Sequence, residues 1–362
     1  MYIDNLKLRF YRNYQNAAVN FINGMNVIIG DNGQGKTNLL ESIYLLSTTR
    51  SHRNDDDREL INFDQEFASV ETNLHYLDYE DRLGIVLHKS GKTLLINNNP
   101  VKRNSEFMGK LNAVLFAPSD MDLFDNSPRV RRKLVDIELG KLSSVYMLSL
   151  SNYLKTLKER NNYLKGNIDK IMLETYTEML FEPEIRIIRE RKAFVDDLNL
   201  YLSYFYNQIS GDNDVIRVDY RSFIEEKDNE EVMREQISKN YENSLERDIY
   251  LKQTNTGIHR EDYIFYRNDK EVSKYCSQGQ KRMILLALKL SIVQIIFKNK
   301  KEYPILLLDD VLSELDSSKK ERLLRLLPNT VQTIITTTDL KDINQLNSEK
   351  MNVIRVRKGV IE

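Results

Sequence analysis

The sequence predicts an α/β fold in which a phosphate-loop type head carries an antiparallel β subdomain and an inserted α-helical arm. Three observations predict it. An apolar β-type run, Met25–Ile29, passes straight into a glycine-rich loop and then a helical pattern. Short alternating segments separated by turn residues follow between 67 and 96. Beyond Pro128 the apolar residues switch to a spacing of three or four, and the last third returns to buried strands between helices.

The opening stretch alternates Ile3, Leu6, Leu8 and Phe10 with charged residues, the pattern of an edge strand or hairpin. After the glycine loop, Leu39, Leu40, Ile43, Tyr44 and Leu46 have helical spacing over 38–47. Segments 68–74, 82–87 and 93–96 read as strands of an antiparallel sheet, punctuated by Ser90-Gly91 and by Asn97-Asn98-Asn99-Pro100. Leu142, Tyr146, Leu150, Tyr153 and Leu157, then Leu164, Ile168 and Ile171, mark long helices that run to about 208. Residues 210–214 and the acidic 225–235 read as connections and a solvated face. Helices over 280–297 and 318–327 flank the strand Ile305–Asp309, and 331–336 forms a further β-branched strand. The expected division is a head from 1–125 and 252–362, with a helical insertion at 126–251.

Composition narrows the class. Of 362 residues, 41% are hydrophobic and 30% charged, with only 13 Gly and 6 Pro, which suits an ordered, helix-rich chain. Cys276 is the single cysteine, and His52, His75, His88 and His259 are scattered, so neither a disulfide nor a Cys or His metal cluster is expected. No apolar run approaches the roughly 20 residues of a membrane helix, and Asp4, Lys7, Arg9 and Arg12 rule out an apolar leader. A cytoplasmic location is the expectation. Charge is balanced, 53 basic against 54 acidic residues, so any nucleic-acid contact must come from local patches.

Gly30-Asp31-Asn32-Gly33-Gln34-Gly35-Lys36-Thr37 satisfies G-x-x-x-x-G-K-[ST] between a strand and a helix, the context that gives the pattern meaning. Glycines allow successive backbone N–H groups to face phosphate oxygens, and the helix N-terminus adds a favourable field. Lys36 is expected on the β and γ phosphates, with Thr37 on Mg²⁺. Ile305–Asp309 delivers Asp309 as the metal-side carboxylate, and Asp310 stands where a general base or water-orienting group is needed.

Ser277-Gln278-Gly279-Gln280 opens a helix before that strand, and Ser313-Glu314-Leu315-Asp316 follows it. In this order the motifs resemble the ABC ATPases. The resemblance implies that Ser277 and Gly279 bind the γ phosphate of a nucleotide held by a second copy, with Gln280 in the same nucleotide-binding set. It extends the nucleotide set to Gly30 through Asn38. Two positions depart from the pattern: Asp310 replaces the usual glutamate, which suggests slow hydrolysis, and Thr336-Thr337-Thr338-Asp339 stands where a switch histidine is expected, leaving Thr337 or Thr338 as the γ-phosphate sensor.

Stretches along the whole chain resemble the RecF family within this class: 29–38, Arg50-Ser51-His52-Arg53, Phe116-Ala117-Pro118-Ser119-Asp120, 131–136, 257–262 and 277–282. The interval from Lys36 to Ser277 is too short for the long coiled coils of SMC proteins, and the signature lacks the paired glycines common in transporter subunits. The resemblance implies an ATP-dependent dimer on double-stranded DNA near single-strand/double-strand junctions. With RecO and RecR it would promote RecA loading and the SOS response, and weak, DNA-stimulated ATP hydrolysis would release it. A phosphate-loop small-molecule kinase is the competing reading of Lys36 and Asp309, but gives no reason for the Ser277 signature.

Candidate phosphate-backbone contacts are Arg129, Arg131, Arg132 and Lys133, then Lys155, Lys158 and Arg160, then the run 186–192. Each run taken singly reads equally well as a solvated helix face, and Arg131 and Arg132 can instead serve the nucleotide or the dimer contact. His259 reads as a structural residue and Cys276 as a small neighbour of the signature.

Overall fold

The computed structural model describes residues 1–328, 330–339 and 351–362. The chain divides into two compact units, one from residues 1–121, 204–213 and 282–362, the other from 122–203 and 214–281. In chain order the strands are β1 (Tyr2–Ile3), β2 (Asn5–Tyr11), β3 (Tyr14–Asn20), β4 (Met25–Ile29), β5 (Phe67–His75), β6 (Glu80–His88), β7 (Gly91–Ile96), β8 (Asn99–Val101), β9 (Ala113–Phe116), β10 (Ile216–Arg221), β11 (Asp262–Arg267), β12 (Lys270–Glu271), β13 (Ile305–Asp309), β14 (Thr333–Thr337), β15 (Met351–Arg357) and β16 (Val360–Ile361).

The first unit holds two sheets. One is ordered β16-β15-β4-β14-β13-β9, parallel except for the β15/β16 hairpin. Its interior strand β13, Ile-Leu-Leu-Leu-Asp, lies between β14 and β9 and is buried at every position, as a parallel strand covered on both faces must be. The other sheet is antiparallel, β3-β2-β5-β6-β7-β8, with β1 paired to β5. Here β5 alternates strictly, with Ala68, Val70, Thr72 and Leu74 inward. The N-terminal segment is a hairpin whose first strand, β2, lies inside the sheet and whose second, β3, forms its edge.

The helix Lys36–Thr48 packs against strands of both sheets and is buried on nearly every face, which is why its sequence runs Leu-Leu-Glu-Ser-Ile-Tyr-Leu-Leu instead of alternating faces of opposite character. It ends where Thr49 turns left-handed and its N–H caps the Leu45 carbonyl at 2.8 Å. Leu39, Leu40, Ile43 and Leu46 join Leu6, Leu8, Val70, Ile85, Leu115 and Leu307 in one core.

The second unit packs the helices Pro128–Leu142, Ser144–Tyr163 and Glu230–Leu251, with the 170–203 part of Lys170–Ser210, around the antiparallel sheet β10-β11-β12. Paired charges lie among its buried apolar residues. Buried Arg191 pairs with Glu261 at 2.7 Å and Asp136 at 2.8 Å, and buried Arg160 pairs with Asp248 at 2.9 Å. Each buried charge is met by an opposite one, which is what lets it stay in the interior, and the pairs tie separate elements of this unit together.

The division differs from the expected one. Residues 252–281, placed with the head on sequence, belong to the second unit, because β11 pairs with β10 from Ile216↔Arg267 to Arg221↔Asp262 and Asp262 is held by Arg131. The acidic segment also differs: Glu230 and Glu231 form the first turn of Glu230–Leu251, where carboxylates favour a helix N-terminus, and the Asn229 side chain caps it.

Candidate nucleotide site

The glycine loop leaves β4 and enters the helix Lys36–Thr48. Gly33 and Gly35 have φ of 77° and 117°, conformations that favour glycine. At Gly35 a Cβ would also stand 2.7 Å from the Asn13 amide nitrogen. Gly30 is constrained by space: a Cβ there would lie 2.3 Å from the Val356 carbonyl oxygen on β15.

The loop is braced by the β2/β3 hairpin and by the turn after β15. Tyr14 Oη donates to the Gly35 carbonyl at 3.0 Å, and Asn13 Nδ2 donates to the Gln34 carbonyl at 3.0 Å. The Lys358 N–H donates to Gln34 Oε1 at 2.7 Å and the Gly359 N–H to the Gln34 carbonyl at 3.0 Å. Asn38 Nδ2 donates to Asn13 Oδ1 at 2.8 Å. Asp31, Asn32 and Gly33 remain exposed at the mouth.

Lys36 donates to the carbonyls of Gly30 at 2.5 Å and Asp31 at 2.9 Å. Burial lowers its pKa, an effect opposed by Asp310, Asp309 and Asp31. Thr37 Oγ1 donates to Asp309 Oδ1 at 3.0 Å. The same oxygen accepts from Thr336 Oγ1 at 2.8 Å. Burial raises the Asp309 carboxyl pKa, and the two hydroxyls oppose that rise. Asp310 has φ of 51° and one carboxylate oxygen, Oδ1, that is buried without a hydrogen-bond partner.

Behind the loop helix, Arg12 makes a two-pronged pair with buried Glu41 at 2.9 and 2.8 Å, and Ser51 Oγ donates to Glu41 at 2.6 Å. Arg53 donates to Asn38 Oδ1 at 3.0 Å. His52 packs edge-on to Tyr44, and burial pushes its pKa down to about 4. The 50–53 stretch therefore folds back on the phosphate-loop helix, and Arg12 ties that helix to the β2/β3 hairpin.

In the second unit, Ser277 and Gln280 form a reciprocal cap at the start of the helix Gln278–Lys300. The Gln280 N–H donates to Ser277 Oγ at 3.3 Å, and the Ser277 N–H donates to Gln280 Oε1 at 2.9 Å. Ser277 and Gly279 are exposed, and a Cβ at Gly279 would meet nothing within 4 Å. Cys276 beside them is half-buried. Half-buried His259 lies between the Tyr153 hydroxyl at 2.6 Å and the Thr254 carbonyl at 3.1 Å, and desolvation pushes its pKa down to about 4.

The structure gathers Gly30 through Asn38, Asp309 and Asp310 in one unit. It also brings in residues that the motifs did not point to: Asn13, Tyr14, Glu41 and Thr336. Repeated hydroxyls in 336–338 were the one available signal. Of the two expected sensors, Thr337 is buried, with its Oγ1 3.1 Å from the Asp339 carbonyl, and Thr338 is exposed. The basic set needs correcting. Arg131, Arg160 and Arg191 are buried in internal ion pairs, because each neutralises a carboxylate inside the helical unit, and none is available to a phosphate backbone. Arg129, Lys133, Lys155, Lys158 and Arg186 are exposed.

The sequence profile described as the RecF/RecN/SMC N terminal domain matches residues 2–362. DNA replication and repair protein RecF of Bacillus subtilis (strain 168) is 38% identical over 372 residues, covering 100% of both chains. The chain belongs to the RecF family. Its RecF relative in Ligilactobacillus salivarius (strain UCC118) is also 38% identical, over 100% of this chain and 97% of the relative. A solved RecF–ATP structure, described as the recombination mediator protein of the RecFOR pathway, superposes with a TM-score of 0.92 at 34% identity, covering 100% of this chain and 98% of that one. The Smc head domain from Pyrococcus furiosus, at 18% identity and a TM-score of 0.56, shares the fold. The family is that of RecF/SMC-type ABC ATPase heads, in agreement with the resemblance drawn from the motifs. Among the described residues no helix is long and apolar enough to cross a membrane.

Proposed function

We propose that this chain is an ATP-switched DNA-binding protein of recombinational gap repair. ATP and Mg²⁺ are held by residues 30–38 and Asp309, and a second copy completes the site with Ser277, Gly279 and Gln280. The observation that carries the reading is the 3.0 Å hydrogen bond between Thr37 and Asp309, which unites the phosphate-loop hydroxyl with the carboxylate of β13.

The donor set suits Mg²⁺: the Thr37 hydroxyl and the Asp309 carboxylate are hard oxygen ligands for the cation or its waters. When bound, Mg²⁺ neutralises charge on the β and γ phosphates. Lys36 exchanges its Gly30 and Asp31 carbonyls for phosphate oxygens. Asp310 Oδ1 accepts a hydrogen bond from the attacking water and orients it. A short aspartate at this position favours slow turnover, which DNA accelerates.

Exposed Ser277 and Gly279, at a helix N-terminus with open space around the glycine, suit an anion presented by another molecule. ATP bound between two copies favours the dimer by mass action, and hydrolysis releases it. The likeness to RecF, a DNA replication and repair protein and a recombination mediator of the RecFOR pathway, supports a place in DNA repair. Within it we propose action on double-stranded DNA near single-strand junctions, with RecO and RecR as partners, RecA loading and SOS induction as outcomes, and the cytoplasm as location.

The test is sedimentation of wild type and Ser277→Arg with ATP and Mg²⁺, with and without duplex DNA. The expected result is ATP-dependent dimerisation in the wild type and none in the variant. A wild type that binds ATP yet sediments unchanged, with DNA or without, overturns the proposal.

A further inference from the structure

We infer that Thr336 is a positioning residue for ATP hydrolysis, its single hydroxyl setting both adjacent carboxylate residues, Asp309 and Asp310, in their working geometry. The inference rests on the ATPase reading above and assigns Thr336 a part in it that the motifs do not give.

Thr336 lies on β14 directly opposite Asp309 on β13 and is fully buried. Its hydroxyl has one proton, and that proton is committed: Oγ1 donates to Asp309 Oδ1 at 2.8 Å. A lone pair of the same oxygen accepts the Asp310 N–H at 2.9 Å. Thr37 donates to the same Asp309 oxygen, so Oδ1 carries two hydroxyl donors and Oδ2 is the oxygen left for a cation or its water.

The effect on Asp310 is conformational. A non-glycine residue at φ of 51° sits in a sparsely populated region and persists only where its surroundings hold it. Both its backbone groups are held: Thr336 takes the N–H, and Ser313 Oγ donates to its carbonyl at 2.8 Å. The side chain, by contrast, keeps Oδ1 buried and unpartnered. A pinned backbone with a free carboxylate oxygen is the arrangement needed by a group that orients water without being consumed by structural bonds. Val at 336 would keep the β-branched shape and lose both hydrogen bonds. Ser would keep the hydroxyl and lose only the methyl group.

The experiment measures single-turnover ATP hydrolysis, ATP affinity and Mg²⁺ dependence for wild type, Thr336→Val, Thr336→Ser and Lys36→Ala, with thermal melting of each. Thr336→Val is expected to hydrolyse about 10- to 100-fold more slowly, the range for losing hydrogen bonds to charged groups, and to need more Mg²⁺ for half-maximal rate. Its ATP affinity should stay within about twofold, and Thr336→Ser should recover most of the rate. Wild-type rate and Mg²⁺ dependence in Thr336→Val overturn the inference. So does an equal loss in Thr336→Ser and Thr336→Val, since the methyl group and not the hydroxyl would then matter; this comparison still decides if Thr336→Val melts out. A wild type that, like Lys36→Ala, shows no Mg²⁺-dependent turnover defeats the ATPase reading itself, whatever Thr336 does.

Discussion

Thr37 Oγ1 stands 3.0 Å from Asp309 Oδ1, joining residues 272 positions apart across the parallel sheet. The contact exists because β4 and β13 both flank β14 in parallel, so the loop after β4 and the C-terminal end of β13 open at one edge, where ligands of open α/β sheets bind. From it follows a first prediction. Asp309→Asn keeps an oxygen that accepts from Thr37 and Thr336 but removes a buried charge. ATP turnover should fall at least about 100-fold, as for a lost charged group in a preorganised site, while nucleotide-free thermal stability should stay level or rise. A melting temperature that drops sharply would contradict the expectation that the carboxylate is held at a cost to stability.

Two glycine-to-alanine changes should separate folding from function. Gly30→Ala drives a Cβ to within 2.3 Å of the Val356 carbonyl oxygen, a clash with backbone, and should destabilise the chain by about 1–3 kcal/mol. Gly279→Ala meets open space and should leave stability level or slightly higher, because alanine is the better helix former. ATP-dependent dimerisation should nonetheless weaken in Gly279→Ala, read by sedimentation.

Basic residues divide the same way. Arg160→Ala strands Asp248 in the interior and should cost about 3–5 kcal/mol, visible in denaturant melts. The double change Lys155→Ala and Lys158→Ala, on exposed positions, should be neutral for stability. If those lysines meet phosphates, it should reduce the slope of log affinity for duplex against log salt by about one to two. An unchanged slope places the DNA contact elsewhere.

Stability against pH should carry the mark of Glu184. Burial raises its carboxyl pKa to about 8, above the unfolded value, so its contribution is full at low pH and is lost as pH rises from about 4.5 through 8. Glu184→Gln should remove that loss, so the variant gains on wild type as pH climbs toward 8. His52 and His259 act in the opposite sense. Both have pKa values pushed down to about 4, so both withdraw stability as pH falls below about 6.5 toward 4. Melting curves of wild type and variant across pH 4 to 9 check both signs.

Read alone, the residues were enough to mark the phosphate loop, Asp309, Asp310 and a helix start at Ser277, to order the elements around them, and to mark the resemblance that the relatives support. These features are local: a loop needs glycine where φ is positive, a buried parallel strand needs an unbroken apolar run, and a helix start needs its capping pair. Only the tertiary structure decided that 252–281 pack with the helical unit, that Arg131, Arg160 and Arg191 are internal counterions and not surface cations, and that Thr336 touches both aspartates. Those outcomes depend on which strand pairs with which and which charge finds an opposite partner in the interior. Both are set by contacts between residues far apart in the chain, and composition and periodicity carry no record of them.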